Sequence, residues 1–103
     1  MEKMPTPENL ENRVIKAFKE KGTDDPEAKA LFLQWLQEQE AKVENDPLAA
    51  IEFNLKRARL YLKIGLREEA LENFEDASRQ AQYENRTELI ETIEAEIDKN
   101  FNV

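Results

Sequence analysis

The chain contains no cysteine and no histidine. The first absence rules out disulfides and thiolate metal sites. The second removes the commonest general base and metal ligand. Glycine occurs twice and proline four times in 103 residues, too few for a turn-rich all-β protein. Apolar runs extend only a few residues, so no segment is expected to span a membrane. The opening Met1-Glu2-Lys3-Met4-Pro5 lacks the apolar centre of a signal peptide, which makes the cytoplasm the expected compartment. No glycine-rich phosphate loop and no nucleophile motif is present, so an enzyme would have to work with carboxylates, lysines, Tyr61 and Tyr83 alone. That speaks against catalysis and against a cofactor.

What the chain does have is surface charge and helix formers. Hydrophobic residues make up 40% and charged residues 37%, and Glu, Lys, Leu and Ala are abundant. The formal charge of −8 opposes binding to nucleic acid or to an anionic membrane. The length suits one domain over 1–103 with one modest core.

Helix boundaries are written into short motifs. Thr6-Pro7, Asp25-Pro26 and Asp46-Pro47 each place a capping oxygen before a proline that has no N–H to leave unpaired. Asn85 with Glu88 resembles a capping box. Gly22 and Gly65 fall where helices should stop, because glycine enters the left-handed conformation cheaply. These marks predict an all-α fold of about five helices, over 7–21, 26–44, 47–64, 67–83 and 86–100. Short connections predict antiparallel hairpins: 7–45, then 47–84, then a capping helix over 86–101.

The expected inward faces follow a helical period. They are Leu10, Val14, Ala17 and Phe18 on the first helix; Ala28, Leu31, Phe32, Trp35, Leu36, Gln39 and Val43 on the second; Ala70, Leu71, Phe74, Ala77 and Ala81 on the fourth; and Leu89, Ile90, Ile93 and Ile97 on the fifth. Trp35 continues its stripe and is assigned to the core, whereas Leu33 lies off it and is expected to be exposed.

The third helix is apolar on two sides. At 100° per residue, Leu48, Ile51, Leu55, Ala58 and Leu62 share one side, while Phe53, Leu60, Tyr61 and Ile64 fall largely on the other. Such a helix is buried between neighbours. It leaves solvent a narrow, mainly basic stripe of Glu52, Lys56, Arg59 and Lys63. Arg57 stands among the apolar positions, and the sequence offers no account of it.

Residues 51–84 resemble one tetratricopeptide repeat, through the pattern Ala58-x2-Tyr61-x3-Gly65-x4-Ala70-x3-Phe74-x2-Ala77. The alanines are small where paired helices cross, and Tyr61 and Phe74 fill the gaps beside them. Three positions depart from the pattern: Asn54 replaces a large aromatic, Arg57 a leucine, and Gln82 the closing proline. The first two helices are either a diverged repeat or an unrelated hairpin, since the second helix is long and Trp35 is large for a close crossing. The resemblance implies an array that binds another protein or peptide on the surface lined by the first helix of each pair. Carried onto this chain, that surface is Glu52, Leu55, Arg59, Leu62 and Lys63, with Lys56 at its edge. The clamp by which some members hold a C-terminal carboxylate is not reproduced, because Leu55 and Arg59 occupy two of its positions.

The expected function is therefore an adaptor or scaffold that binds a peptide or partner helix, which the basic stripe would suit if acidic. Against this stands a solvated stripe whose cations pair with neighbours such as Glu20 or Glu72. A second possibility is a self-associating structural protein, a homodimer. A third is a small acidic regulatory or immunity-type protein that blocks a basic target. The carboxylates of the last two helices (Glu68, Glu69, Glu72, Glu75, Asp76, Glu88, Glu91, Glu94 and Glu96) lack the histidines that carboxylate-bridged metal sites add, so no metal is expected.

Overall fold

The computed structural model describes residues 9–102, and these form five helices and no strand. They are α1 (Leu10–Lys21), α2 (Pro26–Glu40), α3 (Pro47–Lys63), α4 (Arg67–Tyr83) and α5 (Thr87–Phe101). The expected Thr6-Pro7 start lies outside the described residues. There the described helix opens on Asn9, whose side chain accepts from the Asn12 N–H at 2.8 Å. Asp25 caps α2 through the Ala28 N–H at 2.9 Å, and Asp46 caps α3 through the Leu48 N–H at 3.1 Å. Both prolines occupy the first turn, as their sequence marks predict.

Two boundaries differ from expectation. The second helix ends at Glu40 rather than Glu44. Its chain tightens into i→i+3 bonds, Lys42 N–H to Gln39 O and Val43 N–H to Glu40 O, both 3.1 Å, before Glu44 turns left-handed at φ +50°. Asn85 does not cap α5. It sits left-handed at φ +58° and closes α4, with its N–H on Gln82 O at 3.0 Å and the Arg86 N–H on Ala81 O at 2.8 Å. Gly65 closes α3 in the same way, with its N–H on Leu62 O at 3.1 Å and the Leu66 N–H on Tyr61 O at 2.9 Å. Both are Schellman closures. The residues that follow are also alike, Leu66 at φ −95°, ψ 77° and Arg86 at φ −97°, ψ 77°. One turn geometry thus repeats through α3, α4 and α5 and gives the chain a regular antiparallel progression.

Gly65 stands at φ +90° with open space where a Cβ would lie. A side chain there meets only the dihedral penalty. Gly65→Ala is expected to lower stability by about 1–2 kcal/mol. Asn85→Gly should stay within about 0.5 kcal/mol of the parent, because asparagine already tolerates this region. Urea denaturation of the two variants checks the contrast, and an unaffected Gly65→Ala would refute this account of the α3 closure.

The core consists of two clusters that share α3. The first gathers Val14, Ala17 and Phe18 of α1, Ala28 and Trp35 of α2, and Leu60 and Ile64 of α3. Phe32 joins them at its rim, with ring centroids 6.0 Å from Phe18, 6.1 Å from Trp35 and 5.2 Å from Tyr61. The second gathers Ile51, Leu55 and Ala58 of α3, Phe74, Ala77 and Ala81 of α4, and Ile93 of α5. The two-sided apolar pattern of α3 thus has a neighbour on each side, Trp35 is core at 2% exposure, and Leu33 is 54% exposed. The molecule is drawn out along this progression, measuring 46 × 30 × 27 Å. At its far end Arg67 stacks over Phe101 and donates to the Asn100 carbonyl at 2.7 Å, tying the start of α4 to the end of α5.

Candidate functional site

The stripe expected to be exposed on α3 is so at Glu52, Lys56, Arg59 and Lys63, while Leu62 is half-buried. Leu55 is not exposed. It is 4% accessible and belongs to the second core cluster, because α4 and α5 close over that flank of α3. A partner on the stripe would meet charged groups with Leu62 as the apolar contribution.

The stripe's cations are engaged. Arg59 forms a two-pronged pair with Glu96 of α5, Nε to Oε2 at 2.9 Å and Nη2 to Oε1 at 2.6 Å. The hydrogen bond to Glu96 holds the Arg59 guanidinium above its usual pKa. Lys63 Nζ meets Glu11 Oε2 of α1 at 2.9 Å. Both pairs lie at the surface, so α1, α3 and α5 contribute to one face. The expected partners Glu20 and Glu72 are not used. Glu20 follows Glu11 by about two and a half turns and so lies on the opposite side of α1. Lys56 and Glu52 form no ion pair among the described residues. They line a hollow of about 110 Å³ with Gln39, Lys42, Val43, Ala49 and Phe53, where the end of α2 approaches α3.

The residue that the sequence could not place turns out to organise the α3–α4 contact. Arg57 donates through Nε to Asn73 Oδ1 and through Nη2 to Asn54 Oδ1, both at 2.6 Å, and its Cζ lies 4.9 Å from the Phe53 ring centroid. Asn54 Nδ2 continues to Gln80 Oε1 at 2.7 Å, and Asn73 Nδ2 to the Glu69 carbonyl at 2.7 Å. Asn54 and Asn73 are buried, at 9% and 8% exposure, and no buried side-chain N or O among the described residues lacks a partner. Two of the positions that depart from the repeat pattern, Asn54 and Arg57, thus act together. The signal in the sequence was their i, i+3 spacing on a face otherwise apolar.

Beside this network Tyr61 is half-buried, and its burial raises the hydroxyl's pKa against the opposing pull of Arg57. No group of three or more acidic side chains among the described residues is arranged to hold a metal ion. No helix among them is long and apolar enough to cross a membrane. No protein-family model, no curated protein and no solved structure matches the chain.

Proposed function

We propose that the chain is a cytoplasmic protein–protein interaction module, an adaptor or scaffold rather than an enzyme, that takes a peptide or partner helix along the stripe of α3. The observation that carries this reading is the exposed face that α3 shares with α1 and α5, on which Lys63–Glu11 and Arg59–Glu96 hold two cations in place while Lys56, beside them, is in no ion pair among the described residues. Side chains ordered before binding lose less entropy on binding. The likeness of the α3–α4 hairpin to a tetratricopeptide repeat supports it further. Of the residues that carry the resemblance, Ala58, Ala70, Phe74 and Ala77 are fully buried, Tyr61 is half-buried, and Gly65 is left-handed. Glu52, Lys56, Arg59, Leu62 and Lys63 make up the contact surface, with Leu55 as its buried support.

The ion pairs dictate the test. Reversing Arg59 alone would set it against Glu96, so the swap Arg59→Glu/Glu96→Arg is combined with Lys56→Glu. The pair is partly exposed, 44% and 26% at its two side chains, and is worth at most about 1 kcal/mol, so the swapped protein should keep its fold by circular dichroism. A partner captured from the source lysate by the parent is expected to be lost from the triple variant. Equal capture by both would remove the stripe from the reading. A second reading, self-association, is favoured by the exposure of Leu33 at 54% and Tyr83 at 86%. Light scattering at rising concentration decides it, since a mass that stays monomeric eliminates the homodimer.

A further inference from the structure

The side of α3 turned away from the stripe carries a different arrangement. Phe53, Arg57 and Tyr61 succeed one another at i, i+4 and i+8, and none is fully covered. Flanking them on one side is α2, with Phe32 against Tyr61 at 5.2 Å, and with Gln39 and Val43 around the hollow that Phe53 shares. On the other side α4 supplies Asn73, whose Oδ1 accepts from Arg57 Nε at 2.6 Å. The row is therefore the floor of a groove between α2 and α4.

Arg57 is unlike the cations of the stripe. Its hydrogen-bond partners are two neutral amides, and it takes part in none of the ion pairs among the described residues. Those amides are themselves fixed, Asn54 by Gln80 and Asn73 by the Glu69 carbonyl, so both oxygens face the guanidinium and hold its plane. Nε and Nη2 are spoken for; Nη1 has no hydrogen-bond partner among the described residues. Since every fully buried side-chain N and O among the described residues has one, Nη1 is not fully buried, and neither is the Tyr61 hydroxyl one turn away. A half-buried guanidinium with no ion-pair partner among the described residues is costly. Held rigid, with free donors at the floor of a groove, it is also a preformed carboxylate receptor.

We propose that this row docks a protein segment carrying an aspartate or glutamate beside an aromatic or aliphatic side chain. The carboxylate would take Arg57 Nη1 and the Tyr61 hydroxyl, and the apolar neighbour would lie against Phe53 and Tyr61. Glu52 and Lys56 of the stripe also line the hollow beside Phe53, but Arg57 and Tyr61 do not, so the carboxylate contacts stand or fall independently of the stripe.

The test uses the whole chain labelled with ¹⁵N and three small probes: phenylacetate, phenylacetamide and inorganic phosphate. Phenylacetate is expected to shift the Arg57 Nε–Hε signal and the amides of Phe53, Arg57 and Tyr61 saturably, leaving the Arg59 and Lys63 signals unmoved. Phenylacetamide, which lacks the charge, should bind about tenfold more weakly. Tyr61→Phe keeps the ring and removes a hydroxyl that has no hydrogen bond among the described residues, so it should weaken phenylacetate severalfold while the protein stays folded. The proposal is overturned by equal shifts with phenylacetamide, which leave only an apolar hollow, or by equal shifts with phosphate, which indicate an unselective cation. It is overturned equally by no saturable shift with phenylacetate, and the two-donor arrangement by unchanged affinity in Tyr61→Phe.

Discussion

Replacing Phe74 by alanine is expected to lower the unfolding free energy by about 3–5 kcal/mol, the largest effect of any single truncation proposed here. Phe74 is fully buried at the centre of the second cluster. Its ring meets Phe101 edge-on at a centroid separation of 6.2 Å, across the α4–α5 contact. Ala58, Ala77 and Ala81 share its cluster and are fully buried too. Alanines have no length to extend into the vacated space, so the cavity persists and its cost adds to the lost transfer energy. A domain of this size has a total stability of about 5–15 kcal/mol, so the variant stands near the limit of folding. Urea denaturation followed by far-ultraviolet circular dichroism measures the loss. Trp35 fluorescence reports the first cluster in the same experiment, because Trp35 is buried between α1, α2 and α3. Since α3 belongs to both clusters, the two signals should shift together. A loss below about 1 kcal/mol would contradict the central place of Phe74. A fluorescence transition left where it was in the parent would show that the clusters unfold separately.

The parts of this fold that were legible beforehand are those decided within one turn of chain. Asp25-Pro26 and Asp46-Pro47 cap helices because the oxygen and the N–H it accepts from are two or three residues apart. Trp35 could be placed in the core from its stripe alone. The two-sided apolar pattern of α3 was likewise enough to put a neighbour on each flank. The misread boundaries have a common cause, a left-handed residue that is not glycine. Asn85 suits the start of a helix and the residue after its end equally well by type, and only the bond from Arg86 N–H to Ala81 O settles which role it plays. Glu44 carries no such mark at all.

Leu55 and the ion pairs were misjudged for a different reason. A helical wheel gives the direction of a side chain but not how far a neighbouring helix reaches over it. The partners of Arg59 and Lys63 lie 37 and 52 residues away, beyond any local rule. Arg57 is the extreme case. Its neighbours Asn54 and Phe53 were adjacent in the pattern, but its meaning depends on Asn73, 16 residues distant, and on Gln80, 26 residues from Asn54.

That dependence makes Arg57 the second position where a substitution should act strongly, and in a way that separates its structural from its binding role. Arg57→Ala leaves the Asn54 and Asn73 side-chain oxygens without their donor. Each buried acceptor left unpaired costs about 1–3 kcal/mol, and water entering the half-open site offsets part of it, so a loss of about 2–3 kcal/mol is expected. Removing the whole network should cost far less than removing its centre. In Asn54→Leu/Arg57→Leu/Asn73→Leu no acceptor is stranded, apolar contact replaces the amides, and Gln80, being half-exposed, returns to water. Such replacements of buried polar groups are commonly neutral or stabilising. The triple variant should therefore match or exceed the parent in urea while Arg57→Ala falls well below it. If Arg57→Ala instead stays within about 0.5 kcal/mol of the parent, the network does not hold α3 to α4. The ordering bears on function as well. Three leucines satisfy the α3–α4 contact more simply than an uncompensated guanidinium held by two amides, so stability alone gives no reason for Arg57 to be there. A triple variant that is stable yet no longer takes phenylacetate would locate that reason in the free donor at the floor of the groove.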